Sequence, residues 1–160
     1  IIINGYLNSN STKKLVVVGD VPYKDKYAEK VKNIRNKKVV FTGYINDQET
    51  LNQLYNNCYA YVHGHEFGGT NPTMINAIYC DCSIISLNTI FNREMLLKIE
   101  AVYFEKNQES ITSVFNKSEK LLNHDYNKIN FKNKIYDWEY ITNQYLNLFK
   151  MKFKKWNNKL

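Results

Sequence analysis

Proline occurs twice in this 160-residue chain and glycine six times. So little of either leaves no room for Pro/Gly-rich linkers or low-complexity segments. Cysteine is limited to Cys58, Cys80 and Cys82. That odd number, without C-x-x-C spacing, signals neither a disulfide framework nor a zinc site, and a reducing cytoplasm is the expected setting. No run of 18 apolar residues is present, so no membrane-spanning helix is expected. The opening Ile-Ile-Ile-Asn-Gly lacks the basic region and cleavage site of a secretory signal. Arginine is confined to Arg35 and Arg93, which argues against readout of a nucleic-acid backbone or its bases.

What remains is ordinary for one globular domain, with 44% hydrophobic and 23% charged residues. The net charge of +7 is concentrated at one end. Residues 150–160 hold five lysines and no acid, so residues 1–149 are nearly neutral. A nucleic-acid binder would more often spread its basic residues over a face. The expected organisation is one folded domain over 1–149 and a basic tail over 150–160.

Five short apolar runs read as strands: 14–18, 39–42, 60–62, 83–87 and 101–104. Between them, 23–35, 47–57, 72–79 and 92–99 carry apolar residues at helical spacing. This alternation is that of βαβ units around a parallel sheet. The C-terminal third reads as helices over 109–123, 126–133 and 137–156. In the last, Trp138, Ile141, Tyr145, Leu148, Phe149, Phe153 and Trp156 form one stripe. The opening, 1–7, reads as the second half of a helix, so the expectation is a fragment that lacks a preceding strand.

Five glycines (Gly19, Gly43, Gly64, Gly68 and Gly69) fall at or just after the C-terminal ends of these strands, where open parallel sheets bind ligands. The densest segment runs from Tyr61 to Ala77. A strand ends near His63, a glycine-rich loop follows, and a helix begins at Asn71-Pro72, a favoured N-cap and first-turn pair. Amides at such a helix start favour an anion, and Gly-Gly-Thr adds backbone access and a hydroxyl. The pattern fits a diphosphate cradle, although it is neither a G-x-x-x-x-G-K-S/T loop nor a G-x-G-x-x-G fingerprint. His63 and His65 flank Gly64, but no third ligand is placed for a metal. His63 is read either as a strand-end residue hydrogen-bonded in place or as a polar group facing a sugar or phosphate, and His124 as solvent-facing.

The segment His63-Gly-His-Glu-Phe-Gly-Gly-Thr-Asn-Pro-Thr-Met-Ile-Asn-Ala-Ile78 resembles the donor loop of the family-four, group 1 glycosyltransferases. The nearest branch carries H-G-H-x-x-G-G-T-N-P and includes bacterial rhamnosyltransferases. Blocks at Leu15–Asp20, Val40–Ile45, Leu51–Tyr55, Asn92–Leu96, Tyr103-Phe104 and Tyr136–Ile141 follow in family order, so the resemblance covers about residues 1–149. It implies the C-terminal, Rossmann-like, donor-binding half of a GT-B fold, an acceptor-binding domain that this sequence does not match, and retaining transfer from a nucleotide-diphosphate sugar to a bacterial surface glycan on a polyprenyl-linked acceptor. The resemblance assigns catalysis to His65, Glu66 and Arg93. To the donor it assigns Gly19, Tyr44, Ile45, His63, Gly68, Gly69, Thr70, Asn71, Asn76 and Asn92. Glu94 is read as capping or orienting a nearby helix start. The family's two glutamates, eight positions apart, fall on Gly68 and Asn76, unless Glu66 substitutes for the first. An uncharged Asn76 suits a deoxyribose donor such as dTDP-rhamnose. No metal or other cofactor is implied.

By itself the chain is expected to be inactive. A basic amphipathic tail with aromatic residues suits either an anionic inner-membrane surface or the absent domain. The competing functions are a nucleotide-sugar-binding module that has lost catalysis with its glutamate pair and, on charge alone, a nucleic-acid binder.

Overall fold

The computed structural model describes residues 1–97, 99–121 and 136–157, apart from the side chains of 119, 121 and 153–157. It divides into two compact units, Ile1–Asp125 and Tyr126–Leu160.

The first unit is α/β. Its order is α1 (Ile2–Leu7), β1 (Leu15–Val18), α2 (Lys26–Lys32), β2 (Val39–Gly43), α3 (Gln48–Asn57), β3 (Tyr61–His63), α4 (Pro72–Tyr79), β4 (Ile84–Leu87), α5 (Ile90–Met95), β5 (Ala101–Phe104) and α6 (Gln108–Leu121). Every strand pairing is parallel, as the βαβ rhythm requires. The strands form two sheets, β1-β2 and β3-β4-β5, where a single sheet was expected. Among the described residues, no strand of one sheet pairs with a strand of the other, so β1 and β3 each use one side for a ladder. β4 has a ladder on both sides and is buried at all four residues, which is why its sequence is a continuous apolar run.

One core joins both sheets. Tyr6 of α1, Val39 of β2, Ile85 and Leu87 of β4, Phe104 of β5, and Ile111, Val114 and Phe115 of α6 pack together. The α6 residues recur at three- and four-residue spacing and so share one face. Gly5 lies against that face, where a Cβ would come within 2.2 Å of the Ile111 Cγ2 atom. Helix α1 spans the strands in reverse. Ile2 reaches Gly64, just past β3, while the Tyr6 hydroxyl bonds the carbonyls of Lys13 and Lys38, ahead of β1 and β2.

Local capping explains two shifted helix starts. α2 begins at Lys26 instead of Tyr23 because the Asp25 side chain accepts from the Ala28 amide and fixes the N-terminus there. α5 begins at Ile90 instead of Asn92 because Thr89 caps it through the Asn92 amide. Glu94 therefore lies inside α5 and is not its cap.

In the second unit, α7 (Trp138–Asn157) forms where the stripe predicts a helix. Trp138, Tyr145, Leu148 and Phe149 are exposed on it. The helix expected over 126–133, together with His124 and Lys159, lies outside the described residues, as do the side chains of Phe153, Lys154, Lys155 and Trp156. Among the described residues, no helix is long and apolar enough to cross a membrane.

Candidate functional site

The C-terminal ends of the strands and the loops that follow them carry every candidate residue except Asn76, which lies one turn into α4, and Asn92 and Arg93, which lie within α5. At the first sheet, Gly19 and Gly43 both adopt positive φ, +114° and +69°, and the Gly19 amide donates to the Gly43 carbonyl at 2.8 Å. Tyr44 follows, 73% exposed, with Ile45 half-buried beside it.

At the second sheet, β3 delivers His63 into the interior, where it is 1% exposed. Tyr61, two residues earlier and so on the same strand face, places its hydroxyl 3.1 Å from His63 Nδ1 and 2.8 Å from the Thr73 hydroxyl. His65 stacks on His63 with centroids 5.0 Å apart. Burial, and next the neighbouring His65, push the His63 pKa down to about 4. The ring is therefore neutral at pH 7, and its Nε2 is buried without a partner among the described residues. Burial also raises the Tyr61 phenol, against an opposing hydrogen bond from Thr73.

The loop after β3 is held from outside. The Asn92 amide nitrogen donates to the His65 carbonyl at 3.0 Å and to the Leu87 carbonyl at 2.9 Å. Asn92 is itself buried, so its side chain ties the loop to the end of β4. The Glu66 carboxylate pairs with Lys106 at 2.6 Å. Gly68 adopts φ +131°, in the region that favours glycine. Around Gly69 nothing lies within 4 Å of a hypothetical Cβ, so the loop is open there. The exposed amides of Gly68, Gly69 and Thr70 donate to no group among the described residues.

The start of α4 differs from the expectation of free amides. Asn71 Oδ1 accepts from the Thr73 amide at 3.0 Å and the Met74 amide at 3.3 Å, and Pro72 has no amide hydrogen. The Asn71 amide points at Met95 Sδ, 3.3 Å away. The cap that makes Asn71 a good helix start thus consumes the donors an anion would use. The amides left for a ligand belong to the preceding loop, and Asn71 serves as their anchor. Asn76 is half-buried on α4.

Arg93, on α5, lies with its guanidinium 4.4 Å from the Tyr103 ring centroid and donates from Nε to Asn88 at 2.5 Å. Asn88 in turn donates to Glu105 at 2.6 Å. The structure therefore gathers His63, His65, Glu66, Gly68, Gly69, Thr70, Asn71 and Asn92 around one loop, with Arg93 on the helix that anchors it. Among the described residues, no hydrogen bond or ring contact links this group to Gly19, Tyr44 or Ile45. Sequence reasoning passed over Tyr61 and Thr73. Tyr61 was visible as the period-two neighbour of His63; Lys106, forty residues from Glu66, carried no local signal. Among the described residues, no cluster of three His, Cys, Asp or Glu side chains could hold a metal. A groove of about 440 Å³ is lined from α1 and α6, by Asn8, Gln108, Thr112 and Asn116 among others, and includes none of the loop residues.

A family model described as glycosyl transferases group 1 matches residues 6–138. Comparison with curated proteins and with solved structures found no match.

Proposed function

The chain belongs to the group 1 glycosyltransferases, and from that membership we propose that its glycine-rich loop binds the diphosphate of a nucleotide-sugar donor for retaining transfer to a bacterial surface glycan. The observation that carries this is the run of three exposed, unpartnered amides at Gly68, Gly69 and Thr70, at the C-terminal edge of a parallel sheet and one residue ahead of the α4 cap. Consecutive free N–H groups suit anionic oxygens. The positive end of the α4 dipole favours the same charge, even though its cap is filled. When the glycosidic bond breaks, the diphosphate gains negative charge, and donors already aimed at it lower the barrier.

The Thr70 hydroxyl adds one donor and Arg93 supplies a cation. His63 contributes a neutral N–H at Nε2 when its Nδ1 accepts from Tyr61. His65 and Glu66 lie on the sugar side of the loop in this reading, with Gly19, Tyr44 and Ile45 toward the base and Asn76 toward the pentose. The uncharged Asn76 favours a dTDP-sugar, dTDP-rhamnose foremost. The acceptor, a polyprenyl-linked glycan at the cytoplasmic membrane face, would meet the donor on a second domain, and the basic α7 tail would serve either the membrane or that domain. The competing reading, a binding module without catalysis, draws on the engagement of Glu66 by Lys106.

Calorimetric titration with a panel of nucleotide diphosphates and their sugars tests the proposal. Thr70→Ala should weaken binding by about 0.5–1.5 kcal/mol through loss of one hydrogen bond. Gly69→Val should weaken it by blocking backbone approach, and it has room to fold. Unchanged affinity in both variants would move the phosphate site elsewhere.

A further inference from the structure

Cys58 closes α3 and Cys82 leads into β4, 24 residues apart in sequence, yet their sulfurs are 3.7 Å apart. Both thiols also point at one acceptor, the Tyr55 carbonyl, at 3.3 and 3.2 Å. We propose that Cys58 and Cys82 are a redox-active thiol pair that closes to an intramolecular disulfide on reaction with a small-molecule disulfide of the glutathione type.

The geometry needs little change. A disulfide has an S–S distance of about 2.05 Å, so the sulfurs must close by roughly 1.7 Å. The two thiols differ in the way sequential exchange requires. Cys58 is exposed, and its hydrogen bond with Cys82 lowers its pKa and enriches the attacking thiolate. Cys82 is half-buried, and its pKa is raised first by that same hydrogen bond and then by burial. The Cys58 thiolate attacks one sulfur of oxidised glutathione, forming a mixed disulfide and expelling one glutathione thiolate. Capping Cys58 removes its hydrogen bond with Cys82, the largest cause of the raised Cys82 pKa, and Cys82 gives up its proton to solvent. Deprotonated Cys82 then attacks Cys58 Sγ and expels the second glutathione thiolate. The protein loses two protons and two electrons, and one glutathione disulfide becomes two thiols. Cys80 is half-buried, its pKa raised by burial, and it has no part in the exchange.

The bridge would join the two ends of the segment that holds β3, the glycine-rich loop and α4, whatever ligand that loop takes.

The test uses the folded full chain with excess oxidised glutathione, followed by intact mass measurement and mapping without reductant. No Lys or Arg lies between Lys38 and Arg93, so trypsin leaves all three cysteines in one peptide. Glu66 separates Cys58 from Cys80, and Asp81 separates Cys80 from Cys82, so cleavage at acidic residues resolves them. The expected product is about 2 Da lighter, joins Cys58 to Cys82, leaves Cys80 free to alkylate, and reverts with dithiothreitol. C80S should bridge unchanged, and C82S should stop at the mixed disulfide on Cys58. A lasting glutathione adduct on wild-type Cys58, a bridge to Cys80, or disulfide-linked dimers would each overturn the proposal.

Discussion

His63 ties the stability of the first unit to pH in a way that can be measured. Its ring is 1% exposed, and its pKa is held at about 4, first by burial and then by His65. In the unfolded chain a histidine titrates near 6.5. As pH falls below 6.5 the unfolded chain takes up a proton that the folded chain refuses until about pH 4, so stability falls with pH across that window. The full difference is worth about 3 kcal/mol, of which about 2 kcal/mol should be lost between pH 7 and pH 5. Urea unfolding followed by far-UV circular dichroism at both pH values measures it. Tryptophan fluorescence is the wrong probe, because Trp138 and Trp156 both lie outside the first unit. Other groups titrate in the same range, so the informative quantity is the difference from His63→Asn, which keeps a polar group toward Tyr61 but cannot take up the proton. The variant should be less stable at pH 7 and lose about 2 kcal/mol less on acidification. Equal losses in both proteins would show that His63 is not held neutral in the fold.

Three other outcomes follow from particular contacts. Asn92→Ala should destabilise the chain by about 1–3 kcal/mol, since the His65 and Leu87 carbonyls lose their donor, and should speed proteolysis at Glu66 more than elsewhere. Gly5→Ala, a favourable change in an open helix, should instead destabilise by about 1–3 kcal/mol in thermal unfolding, because the new methyl collides with Ile111 and with the Gln108 carbonyl, 3.3 Å away. If Asn76 reads the pentose, Asn76→Glu should shift calorimetric preference toward ribonucleotide diphosphates, whereas equal effects on ribose and deoxyribose ligands would leave it a helix residue only.

The strands were legible within a residue or so because short apolar runs are local signals, and in β1, β2 and β3 a glycine marks the end. α4 was read to the residue because Asn-Pro marks both its cap and its first turn. The shifts in α2 and α5 arise where apolar spacing extends past a side-chain cap at Asp25 or Thr89, and periodicity does not register a cap. The division into two sheets was not legible, since pairing between strands is decided by contacts remote in sequence. The same distance hid the approach of Cys58 to Cys82 and the hold of Lys106 on Glu66. At the loop, the residue types pointed to an anion and the loop is built with open amides. Pattern reading singled out the amides of Gly68, Gly69 and Thr70; what it misjudged was counting on free amides at the helix start as well, because a good capping residue and a free helix start exclude each other.

The split sheet leaves a signature in the exchange of backbone hydrogens with solvent. Successive amides along a strand point to opposite sides, so a strand laddered on one side protects every second amide. β4, between two partners, should protect all of its amides. β1, β2, β3 and β5 should each show alternation, slow and fast by turns along the strand. Five strands in one sheet would have two such strands; this arrangement has four, and the slow-exchanging centre of the molecule narrows to Ile84–Leu87.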